Sequence, residues 1–203
     1  MKLTEYYSTS EQSFLLIHKN ACSTVKSNLS CRFGDTLQEV GPPIEGSLKW
    51  AVIRDPYDRF ISALAYDIST QYPVEIWKDE KALYNVIELL DLKKYLTHHA
   101  TNSFYRSGIL SHSILQTIYL FDNNIDIVVE DKDLKHFIPI HFKHPVPNQN
   151  IGVSEYKECI RKIIDKIPSI KQKVLLLLEI DYVTLESFKD KGAQWTWGSG
   201  RLF

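Results

Sequence analysis

Ser13-Phe14-Leu15-Leu16-Ile17-His18-Lys19-Asn20-Ala21-Cys22-Ser23-Thr24 is the stretch on which the architecture turns. Its first five residues, SFLLI, make a short apolar run between polar neighbours, the pattern of a strand buried on both faces. The residues that follow are polar, small or hydroxyl-bearing. Beyond them Val25, Leu29 and Phe33 recur at helical spacing. A strand that ends in such a loop and then opens a helix directs backbone N–H groups at one spot, where the helix dipole also favours an anion. The loop from Lys19 through Asn20, Ala21 and Cys22 to Ser23 and Thr24 therefore reads as an anion cradle. Lys19 adds a mobile positive charge, and the two hydroxyls can cap the helix or donate to anionic oxygens. Taken alone, a capped helix and a solvated lysine explain the segment equally well. No glycine occurs between Met1 and Arg32, and the lysine precedes the loop, so the glycine-rich form used for ordinary nucleotide hydrolysis is absent.

Outward from this segment, Lys49–Ile53 (KWAVI) and Ile125–Val129 (IDIVV) have the same strand character. Helical patterns lie between them: Phe60, Ile61 and Leu64 after Pro56, then Val86, Leu89, Leu90 and Leu96. Strands alternating with helices predict an α/β fold with a central parallel sheet flanked by helices. The C-terminal third reads as helical, with Glu155–Ile167 and Ile170–Lys189 separated by Pro168, and these helices are expected to pack against the sheet. With 203 residues, 44% of them hydrophobic, and no repeat or long linker, one domain over residues 1–203 is expected.

Composition excludes several classes. Lys and Arg number 24 against 25 Asp and Glu, so no global field draws the chain to nucleic acid or an anionic membrane, and any anion site must be local. The first residues lack an apolar signal core, and no run approaches the roughly 20 apolar residues of a membrane span. Cys22, Cys31 and Cys159 match no zinc spacing and cannot all pair. A cytoplasmic setting is expected, with no metal, nucleic-acid or membrane partner.

A second informative segment follows the Lys49–Ile53 strand: Arg54-Asp55-Pro56-Tyr57-Asp58-Arg59-Phe60-Ile61-Ser62. Asp55 as N-cap, Pro56 in the first helical position and Asp58 in the first turn make a strong helix start. Arg54 is thereby left at the carboxyl end of a strand, where open α/β sheets bind ligands. Ser62, two turns into the helix, shares a side with Arg59 and Tyr66. Arg54 and Ser62 could grip a second phosphate. The plainer alternatives are an Arg54 salt bridge to Asp55 or Asp58 and a neutral helical serine. Trp50, inside the strand, reads as core.

In order and spacing the two segments together resemble the sulfotransferase superfamily, particularly its carbohydrate-modifying branch. Ile17–Thr24 is similar to that family's 5′-phosphosulfate loop, and Val52–Ala63 (VIRDPYDRFISA) to its 3′-phosphate motif. Asp126–Leu134 resembles its late strand ending in a glutamate before a short acidic helix, and Ile180–Phe188 its terminal helix. The chain departs from many members in having His18 before the loop lysine and Val25 after the hydroxyl pair. The resemblance implies a nucleotide-kinase-like phosphate-loop architecture. It also implies the donor PAPS (3′-phosphoadenosine 5′-phosphosulfate), which leaves as the bisphosphate PAP, and a small-molecule hydroxyl acceptor such as a carbohydrate or metabolite. Lys19, Asn20, Ala21, Cys22, Ser23, Thr24, Arg54 and Ser62 would bind the donor, with Lys19 also catalytic.

Transfer to a hydroxyl benefits from a general base, for which histidine suits neutral pH. His98 and His99 stand in a stretch that loosely resembles the family's acceptor-side segment, and Glu130, at the end of the Ile125–Val129 strand, is the other candidate. Two further classes stay open. One is a nucleotide-binding module without turnover. The other is a small-molecule kinase, which would want a glycine-rich loop and acidic metal ligands that the sequence lacks.

Overall fold

The computed structural model describes residues 6–8, 11–17, 20–21, 25, 38–73, 75–76, 79–97, 115–121, 123–134, 154–190 and 194–195. Among these, six strands form one sheet: β1 (Tyr6–Ser8), β2 (Gln12–Leu15), β3 (Gln38–Gly41), β4 (Leu48–Ile53), β5 (Ile127–Glu130) and β6 (Gln194–Trp195). Their order is β3-β1-β2-β4-β5-β6. The helices are α1 (Pro56–Gln71), α2 (Glu80–Glu88), α3 (Leu92–Thr97), α4 (Gln116–Phe121), α5 (Ser154–Lys166) and α6 (Pro168–Asp190), and a 3₁₀ turn covers Asp131–Asp133.

The expected parallel sheet is present from β2 to β6, where β2, β4, β5 and β6 run side by side in the same direction. It is not wholly parallel, because β1 pairs antiparallel with both β2 and β3. The segment Tyr6–Ser8 is too short and too polar to announce a strand. It is held by antiparallel pairing with β2 and by a buried serine cluster: Ser8 Oγ lies 3.0 Å from Ser13 Oγ, which lies 2.5 Å from Ser47 Oγ. Ser13 Oγ also accepts the Ile44 N–H at 3.1 Å. Gly46 takes a left-handed φ of 76° in the turn before β4, a conformation glycine adopts without strain.

Two compact units emerge: residues 1–54, 116–149 and 183–203 in the first, and 55–115 and 150–182 in the second. The first holds the sheet. On one of its faces Phe14, Trp50 and Ile127 lie in register across β2, β4 and β5, joined by Val52, Val129, Val25 and Leu134. Phe14 and Trp50 pack with ring centroids 4.8 Å apart. The opposite face, with Leu15, Ala51, Ile53 and Val128, is buried as well, as the unbroken apolar runs require.

In the second unit α1 begins as its sequence dictates. Asp55 Oδ1 accepts the Asp58 N–H at 2.9 Å and Pro56 opens the helix. Phe60, Ile61 and Leu64 are buried. The apolar spacing from Val86 to Leu96 resolves into two helices that break after Glu88, so Leu89 is 84% exposed while Leu83, Ile87, Leu92 and Leu96 supply the core. The C-terminal third is helical on both sides of Ile167, close to the expected bounds. Within the second unit α5 packs on α1 and α2. Its buried residues Ile160, Ile163 and Ile164 form a stripe matched to helical neighbours. No helix among the described residues is long and apolar enough to cross a membrane.

Candidate functional site

Parallel pairing brings the carboxyl ends of β2, β4 and β5 to one edge of the sheet, because Leu15 pairs with Ala51 and Ala51 with Val128. The first unit places three features there. Past β2 the chain turns: the Asn20 N–H donates to the Ile17 carbonyl at 3.1 Å, and Ala21 takes a left-handed φ of 58°. The Val25 N–H then donates to the Ala21 carbonyl at 3.0 Å, the i to i−4 bond of a helical turn. Ala21 is the only described residue other than glycine with positive φ. That conformation costs an L-residue roughly 1–2 kcal/mol, and a left-handed residue is one element of the backbone turns that bind anions.

Past β4 stands Arg54. Its Nε faces Asp131 Oδ2 at 3.2 Å, a charge contact without hydrogen-bond alignment, so the partner is neither Asp55 nor Asp58. Those two carboxylates are engaged within the second unit, Asp58 by Arg161 at 2.6 Å and Asp55 by the Tyr182 hydroxyl at 3.2 Å. The Asp131 contact runs through Nε, and the guanidinium carries further N–H donors of the kind that meet carboxylates and phosphates. Past β5, Glu130 ends the strand and the 3₁₀ turn over Asp131–Asp133 follows at once, as the DIVVEDKDL segment suggested. The Glu130 carboxylate pairs with Lys132.

A buried amide network ties the first two features together. Asn20 Nδ2 donates to the Val52 carbonyl at 2.8 Å and to Gln116 Oε1 at 2.6 Å. Gln116 Oε1 also accepts the Arg54 N–H at 3.0 Å, and its Nε2 donates to the Arg54 carbonyl at 2.8 Å. Asn20 and Gln116 are both fully buried. The sequence reading assigned Asn20 only to the loop and did not find Gln116 or Asp131. A polar residue opening a short apolar helix carries no signal by itself; its role appears only when α4 is laid beside β4.

Among the other expected site residues, Ser62 lies two turns into α1 in the second unit and is nearly enclosed, at 6% exposure. Lys19, Cys22, Ser23, Thr24, His98 and His99 lie outside the described residues. No described group of three or more His, Cys, Asp or Glu side chains is arranged to hold a metal ion. Compared with known proteins, the chain matches no protein-family model, no curated protein and no solved structure.

Proposed function

We propose that this chain is a sulfotransferase that binds PAPS at the carboxyl edge of its parallel strands and moves the sulfuryl group to an acceptor hydroxyl. The observation that carries the reading is the juxtaposition in the first unit of the strained Ala21 turn with Arg54, linked through Asn20 and Gln116. Strain held at a loop beside a cation is a signature of a binding turn. The donor fits these residues in part. The left-handed turn at Ala21 suits the 5′ end of the donor and the Arg54 guanidinium a terminal phosphate, while the Asp131 carboxylate must give way or stay clear of the same group.

When bound, the donor supplies an activated sulfuryl group; the chain's residues bind, orient and move a proton. Negative charge grows at the 5′-phosphate as the acceptor oxygen attacks sulfur and the bridging S–O bond breaks. Lys19, the loop amides and the hydroxyls of Ser23 and Thr24 offset that charge as preorganised groups. The acceptor proton passes to a base, for which His98 and His99 remain the first candidates and Glu130 the alternative. Glu130 already accepts from Lys132, a pairing it would have to loosen to take a proton.

Ligand-induced thermal shifts test the reading, since a ligand that binds only the native state raises its apparent stability. The 3′,5′-bisphosphate of adenosine is expected to stabilise the protein and adenosine 5′-phosphate to do so far less. Arg54→Ala should cost about 1.5–3 kcal/mol of bisphosphate affinity, the worth of a charge-assisted bond. Equal shifts by both nucleotides, unchanged in Arg54→Ala, would remove the donor assignment.

A further inference from the structure

We infer that Gln116 is a positioning residue that couples the Asn20–Ala21 turn to Arg54, so that an anion is held by turn and guanidinium together; this rests on reading Arg54 as an anion-binding group. Gln116 pairs with both backbone groups of Arg54, accepting from its N–H at 3.0 Å and donating to its carbonyl at 2.8 Å. A neighbouring strand would satisfy a residue in the same way. The side chain thus prolongs the ladder one residue beyond Ile53 and fixes the peptide from which the Arg54 side chain departs.

The remaining bonds leave one arrangement of the amides. Turning the Gln116 carboxamide over would set its NH₂ against the Arg54 N–H and the Asn20 NH₂. Turning Asn20 over would set its oxygen against the Val52 carbonyl and Gln116 Oε1. Asn20 Oδ1 has no hydrogen-bond partner among the described residues although the side chain is fully buried. A buried polar atom left unpaired calls for an explanation. Here the amide is oriented by what Val52 and Gln116 require of it, at the expense of its own acceptor. Because Asn20 directly precedes Ala21, a shift of the Arg54 peptide reaches the turn through Gln116, alongside the direct bond from Asn20 to the Val52 carbonyl.

Titration calorimetry with adenosine 3′,5′-bisphosphate on the full chain tests the coupling. It compares wild type, Gln116→Ala, Gln116→Glu, Arg54→Ala and the Gln116→Ala/Arg54→Ala double variant, each well below its own Tm. Gln116→Ala is expected to weaken binding tenfold or more. In its background Arg54→Ala should cost less than about threefold further, against at least tenfold in wild type, since a guanidinium that is no longer placed has little left to lose. Measured where its carboxyl is ionised, Gln116→Glu keeps both acceptor roles but cannot donate to the Arg54 carbonyl, and should fall between wild type and Gln116→Ala. It is the isosteric variant, and carries the test should the alanine variant not fold. A merely structural Gln116 would lower Tm and leave the affinities additive; additivity overturns the positioning role while leaving the anion site intact. Absence of bisphosphate binding by wild type overturns the anion site itself and the positioning role with it.

Discussion

Two polar networks, one in each unit, solve the same problem of joining elements through side chains, and they do so with opposite chemistry. In the first unit, Asn20 and Gln116 use neutral, fully enclosed amides, which hold the Arg54 peptide. In the second, α1 is fastened to α5 and α6 by charges at the surface. Arg161 meets Asp58 at 2.6 Å, Lys171 meets Asp165 at 2.8 Å, and the Tyr57 hydroxyl donates to Asp165 at 3.1 Å. The Tyr57 ring lies beneath both cations, 5.6 Å from Arg161 and 5.9 Å from Lys171. Burial first, and then Asp165, push the Tyr57 phenol well above its ordinary pKa. The Lys171 hydrogen bond, ahead of that from Tyr57, holds the Asp165 carboxyl below the usual range. An enclosed amide has no solvent to fall back on when its partner is lost, whereas an exposed ion regains water. The first network therefore specifies one geometry, and the second adds support that solvent can replace.

The largest effect should come from Gln116→Ala, which strips partners from the Arg54 peptide and from Asn20 at once. A loss of about 2–4 kcal/mol in denaturant stability is expected, little changed by salt. A loss below about 1 kcal/mol would show that the network is not what holds the loop to β4. Tyr6→Phe comes next and sharpens the contrast within the first unit. The Tyr6 hydroxyl donates to Asn123 Oδ1 at 2.9 Å, and burial, followed by the Asp126 charge, pushes its pKa up to about 12. A folded pKa raised above the unfolded value of about 10 means that the folded state keeps its proton longer. This contribution is complete below pH 10 and lost as pH rises toward 12. At neutral pH the substitution should cost about 1 kcal/mol. Between pH 10 and 12 it should flatten the decline measured by denaturant titration, and an unchanged alkaline decline would dismiss the group.

Smallest is Asp165→Asn in the second network. Because the folded pKa is depressed, its contribution is present above the unfolded carboxylate value of about 3.9 and disappears as pH falls through the folded value. Solvent exposure limits it to under about 1 kcal/mol at neutral pH and low salt, and 1 M salt should erase most of that. A salt-insensitive loss as large as that of Gln116→Ala would break the distinction between the two networks.

Much of this arrangement is legible in the chain, and the reasons are local. Buried parallel strands are recognisable because both faces are apolar, which is why Ser13–Ile17, Lys49–Ile53 and Ile125–Val129 fall on β2, β4 and β5 within two residues. The start of α1 is written in Asp55, Pro56 and Asp58, each acting on its own first turn. Arg54 follows from those two readings together. β1 and β3 escape detection because each is three or four residues long and owes its pairing to a neighbour, not to its own pattern.

By itself the sequence determined the three buried parallel strands β2, β4 and β5, the cap of α1, the burial of Trp50 and the place of Arg54 at a strand end, because these depend on residues within a turn or two of one another. Only the tertiary structure decided that the sheet is mixed, that α5 packs on helices, that Arg54 faces Asp131, and that Gln116 joins Asn20 to the Arg54 peptide across 62 and 96 residues of chain. Those contacts join side chains far apart in sequence. Their partners are selected by which elements the burial of apolar surface brings together, and no local pattern records that choice.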